Sequence, residues 1–289
     1  MTASTRRRRS ASLASRAAPV ASALLLASTG CRTAQPRAQP CATIGNVESV
    51  LAPRTVVFFG EMHGTEQSPA FVGAVLCHAA ARHLPATLAL ELDNAATGAL
   101  ESYLHSTGDS AAREALIAND VWHARPPDGR TSQAMLTLLE TTRALVHDGA
   151  DIRTHAFSRL ARTGAARDSL MAMTVADSAA SHPERVVIGL TGNVHSRVSI
   201  VTAFDSTLRP MTYLIRARLP DRRVLGLNAS YDAGSAWVCM SGANDPCGPH
   251  TIKGRMIVPA QSILLGPLQE GYDGLYGVGA LTVSKPVVP

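Results

Sequence analysis

The sequence predicts an α/β protein with a mainly parallel sheet flanked by helices and with additional C-terminal strands. Up to about residue 205, short apolar runs alternate with longer amphipathic segments, which is typical of strand–helix–strand units. Two of the apolar runs end in the same spacing, Gly60-Glu61-Met62-His63 and Gly192-Asn193-Val194-His195. After residue 205, strand-like runs follow one another, which favours antiparallel strands at a sheet edge.

The first half of the domain contains two predicted strands and four predicted helices. Val56–Phe59 and Ala86–Leu92 are short apolar runs, as expected of buried strands. Ser68 as the N-cap and Pro69 at the first helical position predict a helix start, and an apolar face continues to about Arg82. Further helices are predicted over residues 95–104, 111–119 and 133–147.

The second half begins with two more strand–helix units. Asp151–Phe157 and Arg185–Leu190 are predicted strands, and the helix between them covers Arg162–Ser178, beginning near Gly164. The remaining predicted strands are residues 211–218, 224–230 and 236–240, with another within 273–288.

Length and charge limit the classes of function. The 289 residues are enough for one large domain or two small ones, and a hydrophobic content of 46% supports a buried core. The formal charge of +5 is local, because residues 1–30 hold five of the 27 basic side chains and no acidic one. The remaining 22 basic side chains are balanced by 22 acidic ones. This balance argues against a nucleic acid as partner, which would require clustered positive charge.

Residues 1–31 are predicted to be a signal peptide of the lipoprotein type. Arg6–Arg9 precede an apolar stretch, Ala17–Ala27, that is too short to span a bilayer comfortably. Gly30-Cys31 resembles a bacterial lipoprotein processing site, with Cys31 as the lipidated residue. Ordinary secretion and a disordered tail are the alternatives. Residues 32–45 are the predicted linker, and residues 46–289 are the predicted single domain. The expected location is the periplasm or the outer membrane, with contact to the membrane through the lipid anchor alone.

The four remaining cysteines are predicted to form disulfides, because an exported protein folds in an oxidising compartment. Cys239 and Cys247 bracket a loop rich in Gly, Asn, Asp and Pro, so a local bridge is expected. Cys41 and Cys77 are the other pair. A metal site is the rival interpretation, although the spacing of Cys239 and Cys247 is unusual for zinc.

Glu61 and His63 follow the first strand and lie two residues apart, so an extended backbone points both side chains the same way. A carboxylate and an imidazole together can bind a divalent metal or activate water as a general base. The alternative is structural: Glu61 caps the next helix and His63 is a satisfied buried imidazole. Glu91 ends the apolar second strand, where a carboxylate needs either a role or an arginine partner.

His195 closes the second Gly-x-x-His turn, and we expect it to meet His63 in one pocket. Arg167 is the candidate positive group, which would bind a carboxylate or stabilise an oxyanion. The alternative for Arg167 and Asp168 is a solvated helix face. His155, at the end of the third strand, is a weaker candidate for the same pocket.

Other motifs are either structural or absent from the sequence. Asp128–Ser132 is predicted to be a turn followed by a helix N-cap. The sequence has no Walker loop, no G-x-G-x-x-G and no G-x-S-x-G. Nucleotide hydrolysis and the serine-hydrolase mechanism therefore lack their usual motifs.

Four segments occur in a specific order: Gly60-Glu61-Met62-His63-Gly64-Thr65, a strand ending in Glu91, Arg167-Asp168-Ser169-Leu170-Met171-Ala172, and Gly192-Asn193-Val194-His195. The ordered set resembles the Tiki/TraB superfamily, and most of all its ChaN-type haem-uptake branch. The segment from Glu61 to Thr65 is also similar to the erythromycin esterases of that superfamily. The resemblance covers roughly residues 50–200.

The resemblance implies an α/β fold with its site at the strand ends. It implies that five side chains occupy the positions used by hydrolytic members: Glu61, His63, Glu91, Arg167 and His195. In Tiki-like members such residues support a divalent metal and peptide hydrolysis, so Glu61, His63 and His195 are candidate ligands of Mn, Co, Zn or Fe. In the esterase branch a histidine activates water. In the ChaN branch an outer-membrane lipoprotein binds haem, which would suit Cys31.

The sequence therefore predicts an exported protein that hydrolyses an ester or amide in a small molecule or peptide, with a metal as the expected but unassigned cofactor. The alternative is a non-catalytic haem-binding or haem-uptake lipoprotein. That alternative rests on analogy, because no haem-ligating residue can be named.

Overall fold

A computed structural model describes residues 40–200, 208–240, 247–254 and 256–288. The predicted signal segment, Cys31 and most of the predicted linker lie outside these residues.

A seven-stranded sheet forms the centre of the fold, in the order β3-β2-β4-β1-β5-β9-β8. All neighbouring strands are parallel except β8, which is antiparallel to β9 at the edge. A separate antiparallel hairpin consists of β6 and β7. The strands are β1 (Thr55–Glu61), β2 (Ala86–Asp93), β3 (Ile152–Ser158), β4 (Val186–Gly192), β5 (Arg223–Asp232), β6 (Gly234–Val238), β7 (Gly248–Ile252), β8 (Ser262–Leu265) and β9 (Gly274–Ala280).

The helices cover both faces of this sheet. They are α1 (Gln67–Ala81), α2 (Thr97–Leu104), α3 (Ser110–Ile117), α4 (Gln133–His147), α5 (Gly164–Ser181) and α6 (Met211–Arg218). Short 3₁₀ helices cover Val47–Ser49, Asn94–Ala96 and Asp120–His123. Apolar side chains of α1 to α4 form the core on one face, and those of α5 and α6 form the core on the other. The predicted parallel α/β architecture is therefore confirmed.

The connections around β1 and β4 place a crevice at one end of the sheet. These strands are adjacent, but β1 leads to α1 on one face and β4 leads to α6 on the other. The two following segments therefore diverge at the carboxyl ends of β1 and β4. Such a switch point is where open α/β sheets bind ligands.

Residues Met211–Arg218, predicted as a strand, form the helix α6 instead. Met211 and Ile215 are four residues apart, and both are fully buried on the side that packs against α5. Pro210 occupies the N-cap position. The prediction was wrong because the buried positions follow the helical period rather than the period of two.

The C-terminal strands are only partly as predicted. β5 and β6 correspond to the predicted strands over 224–230 and 236–240, whereas the predicted strand within 273–288 ends at Ala280. β7 and β8 were not predicted. β7 contains Pro249, which is uncommon in strands, and β8 has only four residues.

The start of α1 also differs from the prediction. The helix begins at Gln67, with Glu66 at the N-cap position, so Ser68 lies within its first turn. The hydroxyl of Ser68 is fully buried and accepts a hydrogen bond from the Tyr276 hydroxyl at 3.2 Å. Tertiary packing against β9 therefore uses the side chain that the sequence suggested as a cap.

The edge strand β3 is covered by side chains of the segment that follows β2. The backbone N–H of Thr154 donates to Glu101, and the N–H of Ala156 donates to Thr97 at 3.1 Å. Asn94 donates to the carbonyl of Ala156 at 2.8 Å. These contacts satisfy outward-facing backbone groups that an edge strand would otherwise expose.

Both predicted disulfides are present. Cys41–Cys77 joins the segment before β1 to α1, and Cys239–Cys247 closes the end of the β6–β7 hairpin. Two disulfides are consistent with an exported protein, because such bonds persist in oxidising compartments. Within the described ranges, the helices are all too short or too polar to cross a membrane.

Candidate functional site

The two Gly-x-x-His turns meet at the carboxyl ends of β1 and β4. These strands pair in parallel with Glu61 beside Gly192. His63 follows β1, and His195 lies in the turn after β4, where its backbone N–H donates to the carbonyl of Gly192 at 3.0 Å. The strand pairing therefore brings together two histidines that are 132 positions apart in the printed sequence.

His63 is oriented by Glu61. Its Nδ1 lies 2.9 Å from Oε1 of Glu61, and its Nε2 lies 3.6 Å from Oε2 of Glu91. Because a carboxylate accepts, the proton lies on Nδ1 and the lone pair of the neutral ring lies on Nε2. Burial alone would lower the pKa of His63, but the negative charges of Glu91 and Glu61 raise it above the usual histidine range. Burial raises the pKa of Glu61, and the hydrogen bond from His63 opposes that effect.

His195 has a carboxylate partner of the same kind. Its Nδ1 lies 2.9 Å from Oδ1 of Asp168, whose side chain is completely buried. The same oxygen accepts the backbone N–H of Met211 at 2.6 Å. The backbone of His195 is held by Thr212, whose hydroxyl donates to the carbonyl of His195 at 2.9 Å. The first residues of α6 therefore help to fix His195.

Glu91 lies between the two histidines and is strongly ionised. Its Oε2 accepts from the hydroxyl of Thr191 and from the N–H of Gly192, both at 2.7 Å. Although burial would raise the pKa of Glu91, electrostatic interactions with the imidazoles of His195 and His63 and with the guanidiniums of Arg130 and Arg167 lower it well below the usual range. A carboxylate held in this way is a poor base. Glu91 is therefore an anchor for the surrounding donors.

Arg167 is in the site and not on a solvated helix face. It lies in the first turn of α5, and its Nη2 donates to Oε1 of Glu91 at 2.7 Å and to Ser158 at 3.0 Å. Its Nη1 lies 3.2 Å from Nε2 of His195. Because a guanidinium can only donate, Nε2 of His195 is the acceptor in that contact.

Arg130 is a site residue that sequence reasoning missed. Its Nη1 lies 3.5 Å from Oε1 of Glu91, and its Nε donates to Asp128 at 2.8 Å. Burial would lower the pKa of Arg130, but the bonds to Asp128 and the charge of Glu91 raise it. Asp128–Ser132 therefore includes the predicted turn and the N-cap of α4, and it also carries a second guanidinium into the site.

The strand-end residue Gly192 leaves room for this cluster. A Cβ at this position would lie 3.1 Å from Nε2 of His63, 3.5 Å from Oε2 of Glu91 and 3.6 Å from Cδ2 of His195. The three side chains therefore face the same small volume above the end of β4.

The expected metal ligands do not form a metal-binding set. Among the residues that the structure describes, no three His, Cys, Asp or Glu side chains are placed to hold a metal ion. With Nδ1 of His195 bonded to Asp168, its other ring nitrogen, Nε2, faces the guanidinium of Arg167 at 3.2 Å. A cation at that nitrogen would be repelled by the guanidinium. The side chains therefore do not fit the metal that the resemblance implied, and we assign no catalytic step to one.

The five predicted residues lie together, whereas His155 does not join them. Glu91 contacts the two histidines and Arg167, and Glu61 contacts His63. His155 instead lines a cavity of about 250 Å³ beside β3, with Ser178 and His182 of the α5 region. The reason is that His155 lies in the middle of β3, three residues before the strand ends at Ser158, and not at the strand end as predicted.

The residues missed by sequence reasoning differ in the strength of their signal in the sequence. Thr191 is polar within an otherwise apolar strand, and this contrast could have marked it as a site residue. Asp168 was considered only with Arg167 as a surface pair. Arg130 had no such signal, because it lies in a connection between helices rather than at a strand end.

Comparisons with known proteins concern the fold alone. The sequence matches no protein-family profile and no curated protein. A variant of the erythromycin esterase EreC in its open conformation is similar with a TM-score of 0.63 at 11% identity, over 84% of this chain and 94% of that one. A succinoglycan biosynthesis protein has a TM-score of 0.57 at 9% identity, over 81% and 89%. A protein from Bacillus cereus has a TM-score of 0.52 at 11% identity, over 83% and 92%. The chain therefore shares the α/β fold of these proteins, as the resemblance to the superfamily implied.

Proposed function

We propose that this protein is an exported hydrolase that cleaves an ester or amide. The observation that supports the proposal best is the pair of histidines, each oriented by a buried carboxylate at Nδ1 and each facing Glu91. An imidazole held by a carboxylate is the arrangement that makes histidine an effective general base. The position at the switch point of the sheet agrees with a substrate site.

His63 is the proposed general base. Its Nε2 has no donor within hydrogen-bonding distance among the described contacts, and its raised pKa makes the neutral ring a stronger base. Nε2 takes a proton from water while the water oxygen bonds to the substrate carbonyl carbon. The bond from that carbon to the leaving oxygen or nitrogen then breaks, and the His63 imidazolium returns the proton to the leaving atom.

Arg167 is the proposed stabiliser of the charge on the carbonyl oxygen. A guanidinium has five N–H donors, and among the described residues the bonds to Glu91, Ser158 and His195 use three of them. Donors therefore remain for a substrate oxygen, as electrostatic stabilisation requires. Nε2 of His195 accepts from Arg167 and fixes its orientation.

The substrate class follows from analogy and not from the site. The name of the first structural neighbour, an erythromycin esterase, favours ester cleavage over peptide cleavage. Haem binding, the alternative drawn from the ChaN branch, stays a prediction of the resemblance, and a titration of the purified protein with micromolar haem would test it. An absence of any absorption shift in that titration would remove it.

The decisive experiment measures ester and amide turnover by protein that starts after Cys31. The panel consists of p-nitrophenyl esters, lactones, erythromycin and peptides, and we expect the protein to hydrolyse at least one of them. His63→Ala should lower kcat/KM for it about 10²–10⁴-fold, the range for loss of a general base. His195→Ala should also lower it, while His105→Ala should not, because His105 is a surface residue with 64% of its side chain exposed. Wild-type turnover in folded His63→Ala would disprove the assignment.

The same preparation, purified without chelator, allows a check on the metal. We expect turnover to persist after dialysis against a chelator, with substoichiometric manganese, cobalt, zinc and iron by mass spectrometry. Stoichiometric metal that is lost in His63→Ala would instead support the metal-dependent hydrolase implied by the Tiki-like members.

A further inference from the structure

The β6–β7 hairpin contacts both segments that carry charged side chains into the site. The backbone N–H of Trp237, in β6, donates to the carbonyl of Gly64 at 2.9 Å. Its indole Nε1 donates to the carbonyl of Pro127, also at 2.9 Å. Gly64 directly follows His63, and Pro127 directly precedes Asp128. One residue therefore bonds to the backbone beside the proposed base and to the backbone beside the Arg130 turn.

The three backbones approach so closely that two positions require glycine. Gly64 has φ of 69° and Gly129 has φ of 85°, in the left-handed region that favours glycine. A Cβ on Gly64 would lie 2.2 Å from the carbonyl oxygen of Trp237. A Cβ on Gly129 would lie 2.6 Å from the backbone nitrogen of Gly64 and 2.7 Å from that same oxygen of Trp237. The position of Trp237 is thus directly coupled to the positions of both loops.

Two further sets of bonds keep the hairpin and the loops in place. The Cys239–Cys247 bridge lies next to the last pair of the β6–β7 ladder, Val238 with Gly248. The C-terminal segment crosses the same loops: the N–H of Ser284 donates to Gly64 at 2.9 Å. The hydroxyl of Ser284 accepts the N–H of Ala134 at 2.8 Å, just after the Arg130 turn.

We infer that Trp237 is a positioning residue for His63 and Arg130, and that the hairpin carrying it acts on the reaction without touching the substrate. This inference rests on the proposed function in that His63 is the base. General-base catalysis depends steeply on distance and orientation. A loss of the Trp237 contacts would let the His63 and Arg130 segments move relative to Glu91, which lies on the rigid sheet.

The test compares Trp237→Phe and Trp237→Ala with Trp122→Phe. The chain has two tryptophans, and Trp122 lies in the hydrophobic core on the α1–α4 face. Trp122→Phe therefore controls for general destabilisation. Both variants keep the backbone N–H that bonds to Gly64 and remove the indole bond to Pro127. Trp237→Phe also keeps an aromatic ring, so it stays informative if Trp237→Ala does not fold.

The first readout does not require a substrate. In protein with ¹³C-labelled histidine, the ring signal of His63 is assigned by its loss in His63→Asn and followed at one fixed pH. We expect this signal to shift or broaden in both Trp237 variants and to stay unchanged in Trp122→Phe. An unchanged His63 signal in folded Trp237→Ala would overturn the inference, whether or not the protein proves to be a hydrolase.

The second readout is kinetic and uses whichever ester is turned over. We expect Trp237→Ala to lower kcat about tenfold or more, with KM altered by less than about twofold, because orientation is lost and substrate contacts are kept. Trp237→Phe should fall between this variant and wild type. A KM effect without a kcat effect would place Trp237 in the substrate pocket and overturn its role in positioning. A protein without turnover but with a shifted His63 signal would reject the proposed function and retain the inference.

Discussion

At the scale of single residues, the site is a balance of buried charges around Glu91. Four side chains with positive charge, or able to acquire it, lower the pKa of this carboxyl, and two of them are the histidines. A buried carboxylate without such partners would cost several kcal/mol. The same electrostatics make the two imidazoles different from surface histidines, because each already has a carboxylate at Nδ1.

The pH dependence of hydrolysis follows from the environment of His63. The base must be neutral, so kcat/KM should rise with pH as His63 loses its proton. Because Glu91 and Glu61 raise the pKa of His63, the midpoint should lie above the ordinary histidine value of about 6.5. Glu61→Gln removes one of these charges and should move the midpoint to lower pH. A pH–rate profile of both proteins measures this shift, and a midpoint that stays in place or rises would contradict the role of Glu61.

The lack of a side chain at Gly192 is a second residue-scale requirement. In Gly192→Ala the new methyl group would lie 3.1 Å from Nε2 of His63, so that ring must move by a few tenths of an ångström. We expect kcat to fall about tenfold with the fold retained. Gly98→Ala is the matched control, because a Cβ on Gly98 of α2 has no neighbour within 4 Å. Equal activity in the two variants would show that the space above β4 is not needed.

Sequence reasoning predicted correctly that the polar residues at the strand ends lie together. Glu61, His63, Glu91 and His195 were predicted from apolar runs that end in polar groups, and the parallel sheet brings them to one edge. Arg130 was not predicted, since it lies between helices and contacts Glu91 through a tertiary approach of residues distant in sequence. Such a contact leaves no periodic pattern in the sequence.

At the scale of elements, α5 and α6 support the site from the face opposite to α1. Asp168 of α5 accepts hydrogen bonds from Nδ1 of His195 and from the backbone N–H of Met211, the first residue of α6. The error of predicting Met211–Arg218 as a strand therefore hid a contribution to the site. In physical terms, the apolar positions of a segment of only eight residues fit either period until its packing partner is known.

The Cys41–Cys77 bridge is an element-scale contribution to stability. It closes a loop with a sequence separation of 36 and fixes the segment before β1 to α1. The free energy of unfolding of the double variant Cys41→Ala/Cys77→Ala should be about 2–4 kcal/mol lower, because the unfolded chain is no longer constrained by the cross-link. Urea denaturation followed by circular dichroism measures the difference, with kcat of the native protein expected to be unchanged. An unaltered unfolding midpoint would show that the packing of α1 alone fixes this segment.

At the scale of the whole molecule, the alternation of strands and helices was sufficient to predict the parallel sheet and its helical layers. The strand order was not predicted, because β9 inserts between β5 and β8 through contacts distant in sequence. The order matters for function, since it sets β1 beside β4 and so creates the switch point. The C-terminal region was predicted less well, because it does not continue the alternation of strands and helices. It forms the β6–β7 hairpin and the segment around Ser284, both of which bond to the backbone of Gly64.

The cellular location is predicted from residues 1–31, which lie outside the described residues. We propose that Cys31 is lipidated and anchors the domain through the residues that follow it. Wild-type protein expressed with its own signal should then appear in the membrane fraction, and Cys31→Ala should appear in the fraction released without detergent. Equal partition of the two proteins would favour ordinary secretion over a lipid anchor.

The covered edge of β3 has a consequence for neighbouring molecules. Glu101, Thr97 and Asn94 occupy its outward-facing backbone groups, so a strand from a second copy has no free ladder to join there. A protein tethered to a surface is confined to two dimensions, where copies collide often and sheet-to-sheet growth would be a constant hazard. If Cys31 is lipidated as proposed, the side chains along this edge would keep crowded copies from joining through β3.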